Sequence, residues 1–502
     1  MKTLTGKTLI ERRWLLFLLL ALFFRGLYVE WKVEDVRSAD APGRWFFDTP
    51  DTHSYFDPID RVMEGGDYKP DYRMPGVGVP YWAFRLFLDP VASRDAMVVL
   101  QWLLSGISVY VLALLALRLT GSHTTALITY SLFLLSTFSS WYDTSMSSDS
   151  LAPSAFILQV FLFQQAFDKQ NRWMLSAAGL ILTWIIFIRP VAALLLIPAC
   201  ILVHMYWGKS RSLRPLVLFL IPFAVIETAW VVRNWRVNHE FNPLTNEGMM
   251  PAEIADRPLG YLMRFLGGYG GDYIWWQPGA DIRWYGLWHG AGEVDDEGRK
   301  ADPPPEYAYV PGYNQDSLLA ISSLIRSALD GDLEPSDSIA AIAKANATLD
   351  RYTALHAEGA PFTHHVVSRF LMVRHMVVQN GTETLFNASF SALPLWMKLF
   401  KLLQIVLYYF AFIIGGTAAV VMLWQWRRAT SLLATWIPII ALYMVFIYPL
   451  GLKMAEWRFM VHVFPLGLLL ATCMVVPKLE VVMARVRTNR NNSGRGADQR
   501  AL

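Results

Sequence analysis

The chain reads as an all-α polytopic membrane protein with about ten transmembrane helices and a mostly helical extracytoplasmic domain. Three observations predict this. Charged residues make up 17% of the 502 residues and apolar ones 54%, against roughly 25% and 45–50% in soluble chains. Trp, Tyr and Phe number 20, 21 and 29, an aromatic load suited to membrane–water interfaces. Apolar stretches recur that are long enough for a bilayer, which needs roughly 20 residues. The net charge of +3 is too small for a nucleic-acid binder, and no basic stripe with interleaved aromatics accompanies it. Cys200 and Cys473 lie within apolar runs and read as small buried hydrophobes rather than a bridge or a metal pair.

The spans fall at about 14–31, 96–117, 124–141, 151–167, 173–188, 191–207, 215–232, 403–424, 431–450 and 459–477. The stretch from Trp173 to Trp207 is too long for one helix. Arg189-Pro190 breaks it, because proline removes a donor and the residue before it avoids the helical region. It reads as a hairpin; one long tilted helix is the alternative, and would reverse everything downstream. The first span follows Lys2, Lys7, Arg12 and Arg13 and is followed by Arg25 rather than a small-residue cleavage site, so an uncleaved anchor is expected.

Lysine and arginine in the short loops set the orientation. One side holds Lys2 to Arg13, Arg118, Lys169 and Arg172, Lys209 to Arg214, Arg427 and Arg428, and the tail from Lys478 to Arg500. That places both termini in the cytoplasm of a cell inner or plasma membrane. The expected division is a membrane module over 1–232 with a catalytic outer loop at 32–95, an extracytoplasmic domain over 233–402, closing helices over 403–477, and a basic tail over 478–502. Within the outer loop, Tyr81–Leu88 suits an interfacial run. Helix patterns fall near 317–329, 338–356 and 362–379, Gly267–Gly290 reads as ordered loop, and the polar tail from Thr488 is expected to be disordered. No internal repeat is evident, which disfavours the inverted-repeat transporters.

Ionisable residues inside spans are costly and usually functional. Here the spans are almost clean, with Arg25, Glu227 and His204 near span ends. The polar groups gather instead at the outer boundary: Asp51, Arg73, Asp149, Arg189, Arg233, and Glu456 with Arg458. Six chain segments meeting at one level is the layout of an outward-facing site. Each group also has a plainer reading. Asp51 and Asp149 precede helices and would serve as N-caps. Arg233 and Arg236 would anchor a helix end, and Glu456 with Arg458 would form a local ion pair. His364-His365 and His375 lack a zinc spacing and read as structural. Tyr273, Trp275, Trp276, Trp284, Tyr285 and Trp288 would either pack a loop against lipid or stack on sugar rings.

Taken in order, these segments resemble polytopic glycosyltransferases of the GT-C superfamily that use polyprenyl-phosphate sugars, such as the protein mannosyltransferases and the aminoarabinose transferase of lipid A. The resemblance rests on Asp51-Thr-His-Ser-Tyr55, Gly65-Gly-Asp-Tyr68, Arg73-Met-Pro-Gly76, Ser148-Asp-Ser-Leu151, Ile188-Arg-Pro190, Arg233-Asn234, Pro243 to Gly248, and Ala455-Glu-Trp-Arg-Phe459. It covers about 1–250 and 403–477; residues 250–400 match nothing in it. Met74 departs from the pattern, since many relatives carry a second proline there. His53 and the surrounding acids leave Asp48 beside Asp51 as a candidate base.

The resemblance implies transfer of a sugar, with inversion, from a polyprenyl-phosphate donor to a glycan, lipid or protein acceptor. Asp51 is the candidate general base, with Asp149 as orienting group or second carboxylate. A hydroxyl is a poor nucleophile near neutral pH, so a positioned carboxylate should take its proton. Charge building on the departing phosphate calls for fixed cations; Arg73 and Arg233 come first and Arg189 and Arg458 second, because guanidinium chelates phosphate oxygens in bidentate fashion. Tyr55, Asn234, Glu456, Trp275 and Trp276 are expected to line the substrate site. No cofactor is certain. Two carboxylates could hold a divalent metal, but an arginine-clamped phosphate does not require one. A lipid-linked glycan transporter or flippase, an O-antigen ligase or polymerase, and a non-catalytic receptor or scaffold are the alternatives.

Overall fold

The computed structural model describes residues 7–37, 44–49, 51–70, 73–207, 213–239, 241–244, 258–271, 304–329, 332–378, 381–385, 390–425 and 431–498. Among the described residues there is no β-strand beyond isolated bridges. Among the described residues six helices are long and apolar enough to cross a membrane: Pro90–Thr120, Ser148–Lys169, Arg214–Val237, Leu395–Trp424, Leu433–Leu452 and Phe464–Val482. Three shorter apolar helices lie at His123–Leu135, Arg172–Ile188 and Pro190–Tyr206. The protein is therefore an all-α, multi-pass membrane protein by its helices, with six such helices against ten spans read from the sequence.

The chain divides into two compact units. One comprises 1–245, 381–444 and 460–502; the other comprises 246–380 and 445–459. The second unit thus lies largely within 233–402, the segment set apart by its polarity, and also takes in 445–459.

Over residues 1–245 of the first unit the described helices are α1 (Lys7–Arg37), α2 (Thr52–Met63), α3 (Gly78–Arg85), α4 (Pro90–Thr120), α5 (His123–Leu135), α6 (Ser148–Lys169), α7 (Arg172–Ile188), α8 (Leu196–Tyr206) and α9 (Arg214–Asn238). Their starts carry ordinary caps: Asp89 accepts from the Ala92 amide, Ser122 from Thr125, and Asn171 from Trp173 and Met174. Helices α1, α5 and α6 pack on α4, and α7 packs on both α6 and α9. Small residues allow close approach, as in membrane bundles: a side chain on Gly179 of α7 would collide with the Phe219 carbonyl of α9. Polar links cross the bundle, with the Trp102 indole N–H donating to the Leu22 carbonyl at 2.8 Å and the Thr129 and Thr472 hydroxyls 2.7 Å apart.

Two details differ from the sequence reading. Helix α5 ends at Leu135, and the Ser/Thr-rich run 136–147, read partly as span, is mostly non-helical and largely buried. A buried irregular backbone needs partners. Arg25 donates to the carbonyls of Phe133 and Ser136, and Gln404 bonds the Thr137 amide and the Leu135 carbonyl. The final helix continues to Asp498, so most of the tail expected to be disordered is helical; extending an existing helix adds a hydrogen bond per residue without a new nucleus. At Arg189 the helix breaks as Pro190 requires, with extended backbone (φ −140°, ψ 92°) before a 3-10 turn.

In the second unit α11 (Gln315–Leu329), α12 (Pro335–Gly359) and α13 (Ser368–Val378) fall on the expected patterns, whereas α10 (Pro258–Tyr269) was not anticipated; α12 packs on α10 and α11. Gly267–Tyr269, expected in a loop, close α10, and Gly270 ends it in the left-handed region (φ 84°). Residues 272–290 of that stretch lie outside the described residues. His364 is buried with its Nδ1 3.2 Å from Nδ1 of His356. Burial, aided by Lys453 nearby, holds the His364 imidazole down to about 4, so the pair is neutral near pH 7.

Candidate functional site

The segment before α2 is pinned by Thr52, whose hydroxyl receives the Thr49 amide and donates to the Met146 carbonyl at 3.0 Å. Asp51 stands at the cap position of α2, but its side chain makes no capping bond. Its Oδ1 instead accepts from an Arg73 NH2 at 2.6 Å. Tyr55 is one turn further along α2, on the same face, and the Arg73 guanidinium lies over its ring at 4.8 Å from the centroid. The aromatic face thus helps hold the cation beside the carboxylate. The Arg73 and Asp51 side chains retain 23% and 19% exposure, enough to be reached from outside. Asp48 is exposed and pairs with Arg94 at 3.0 Å, which places it away from Arg73's partner role.

Asp149 lies in a different environment. Ser147 caps α6, and Asp149 follows as its second residue, where the helix dipole favours an anion. The carboxylate is fully buried. Its Oδ1 accepts from an Arg189 NH2 at 2.5 Å and lies 3.1 Å from Nε2 of His462, which is also fully buried. Removing one member would strand a buried charge, at a cost of about 3–5 kcal/mol.

Backbone seams join the two ion pairs. Phe47 donates its amide to the Thr144 carbonyl at 3.1 Å and accepts from the Met146 amide at 3.3 Å, so the strand-like turn carrying Asp51 is sewn to the approach to Asp149. On the other side the Gly76 amide donates to the Phe187 carbonyl at 3.1 Å, and the Trp184 indole donates to the Gly76 carbonyl at 2.8 Å. The turn following Arg73 is thereby sewn to the end of α7, just before Arg189. The contact is so close that a Cβ on Gly76 would overlap the Phe187–Ile188 peptide. Asp51, Arg73, Arg189 and Asp149 form a closed circuit of alternating side-chain and backbone links.

Arg233 is set differently. Its guanidinium lies near the rings of both Tyr68 and Trp230, which meet edge to face, and donates to the Tyr68 carbonyl and to the Asn234 side chain. Asn234 in turn donates to the Asn242 carbonyl at 2.9 Å. Both residues tie the end of α9 to the loops on either side of it. Glu456 is buried 3.1 Å from Nε of Arg458, in the second unit, as a local ion pair. Trp275 and Trp276 lie outside the described residues.

Two further buried ionisable residues, His462 and Asp143, belong to these surroundings without a sequence motif to mark them. His462 carries no motif; its signal was an ionisable side chain in an apolar run. Asp143 is fully buried, with Oδ1 accepting from Ser150 at 2.8 Å, while Gln101 donates to the carbonyls of Asp143 and Ser145. Burial pushes its carboxyl up to about 7, against the opposing pull of Arg25, Ser105 and Ser150. Among the described residues no group of three or more His, Cys, Asp or Glu side chains is placed to hold a metal ion. No family model matches the chain, and no curated protein matches it.

Two outcomes are expected. Gly76→Ala should destabilise the protein by about 1–3 kcal/mol, the usual cost of overpacking, read as a lower melting temperature in detergent; an unchanged value would contradict the seam. For Asp143, the folded state holds its proton more tightly than the unfolded chain. Its contribution to stability is therefore fully present below about pH 4 and is lost as pH rises through about 7. The melting temperature of the wild type should fall more steeply between pH 5 and 8 than that of Asp143→Asn, and equal slopes would contradict this assignment.

Proposed function

We propose that the protein is a membrane glycosyltransferase of GT-C type, moving a sugar with inversion from a polyprenyl-phosphate donor to an acceptor hydroxyl or amine at the extracytoplasmic face. The observation that carries this reading is the accessible Asp51–Arg73 pair held beside a buried Asp149–Arg189 pair. Asp51 takes the acceptor proton as the acceptor oxygen or nitrogen bonds to the anomeric carbon. The bond from that carbon to the donor's phosphate oxygen breaks, and its electron pair leaves with polyprenyl phosphate. Arg73 faces the negative charge that builds there, a stabilisation felt most in the transition state.

Asp149, buried against Arg189 and His462, serves as a fixed anion that orients Arg189 rather than as a base. Arg233 holds the Tyr68 loop in place, and Asp48 is the lesser candidate for base because Arg94 engages it at the surface. The lysine and arginine bias of the short loops supports cytoplasmic termini and an active site on the opposite side. A transporter of lipid-linked glycans is the second reading, favoured by the buried polar cluster of Arg25, Gln101 and Asp143.

Purified Asp51→Asn should bind donor yet lose turnover by about a hundredfold or more, the scale of a lost general base. Turnover equal to wild type would remove Asp51 from the role. Lipid crossing in vesicles, with no cleavage of the sugar phosphate by the wild type, would favour the transporter.

A further inference from the structure

In the structure the carboxylate proposed as base and the cation proposed for the donor phosphate are bonded to each other. The 2.6 Å contact between Arg73 and Asp51 is a charge-assisted hydrogen bond, among the stronger side-chain interactions. Tyr55 beneath the guanidinium and the Gly76 seam behind it limit how far Arg73 can withdraw. The pair is nevertheless open to solvent on one side. An arriving phosphate offers several anionic oxygens to the fork that now holds one carboxylate oxygen.

We propose that the Asp51–Arg73 ion pair is a latch that the donor's phosphate opens. Phosphate takes over the guanidinium, the Asp51 carboxylate is released toward the acceptor, and the base becomes available only when donor is in place. Binding is then ordered, donor before acceptor, and the empty enzyme keeps its base occupied. The inference rests on the transferase reading, since it takes its phosphate ligand and its base from that site. It adds a definite consequence: the carboxylate competes with the substrate, so removing it should tighten binding while abolishing turnover.

The test is equilibrium binding of a polyprenyl monophosphate, in detergent and at fixed salt, to wild type, Asp51→Asn, Arg73→Gln and the double variant, each checked for monodispersity. Asp57→Asn serves as the charge control, because Asp57 is an exposed carboxylate on the same helix that pairs with His53. Asp51→Asn should bind about tenfold tighter, on the scale of one freed charge-assisted pair. Asp57→Asn should change binding by less than about twofold, as expected for a screened surface charge. The gain should vanish in the Arg73→Gln background, as coupling between the two residues requires. Unchanged or weaker binding by Asp51→Asn, or a gain that persists without Arg73, overturns the latch and leaves the phosphate site standing. No saturable binding to wild type, or wild-type binding by Arg73→Gln, overturns the phosphate site itself and the latch with it.

Discussion

Everything else at the site depends on one closed circuit: two ion pairs joined by two backbone seams. Asp51 binds Arg73, the Arg73 turn is sewn to the end of α7, Arg189 binds Asp149, and the approach to Asp149 is sewn back to the segment before Asp51. Such a ring is stiff, because each charged side chain is held both by its partner and by the backbone it projects from. It also explains an asymmetry in environment. The Asp149–Arg189 side is buried and reinforced by His462, so it acts as foundation. The Asp51–Arg73 side keeps an opening to solvent, so it is where a ligand can compete. Two acids and two arginines leave the ring formally neutral, which suits the proposed role of admitting one anion and releasing another.

The chemistry follows from this division of labour. A buried carboxylate already engaged by Arg189, Ser147 and His462 is poorly placed to take a proton from substrate, whereas a partly exposed carboxylate paired with a solvent-accessible arginine can exchange partners. Preorganised cations at a departing phosphate stabilise charge without reorganisation during the reaction, and under the proposed transferase reading the seams at Gly76 and Phe47 would supply that preorganisation. Arg233, a first choice for the phosphate on sequence grounds, is engaged instead by the Tyr68 carbonyl and the rings of Tyr68 and Trp230, and so tethers the loop that leads toward Arg73.

Residue types made much of this legible in the sequence. Charges at the ends of apolar stretches stand out because such runs tolerate few of them, and Asp149 and Arg189 were visible that way, while Asp51 and Arg73 were visible in the outer loop by the short motifs that carry them. The break at Arg189-Pro190 was legible from proline's missing donor. The pairing was not legible, since Asp149 lies 40 residues from Arg189 and 313 from His462, and no local pattern encodes such contacts. Asp143 was hidden for a related reason. The run 136–147 reads partly as span by its hydropathy, but it folds as a buried loop whose backbone is bonded by Arg25, Gln101 and Gln404 from other helices. Part of the difference in helix count arises because apolar content alone does not set length: α5 stops at 13 residues, and α7 at 17.

The most direct test is an experimental structure of the protein with a polyprenyl monophosphate bound. The account predicts the phosphate within hydrogen-bonding reach of the Arg73 guanidinium, Asp51 turned away from it, and the Asp149–Arg189–His462 group unchanged. A phosphate bound elsewhere, with the Asp51–Arg73 contact intact, would contradict it.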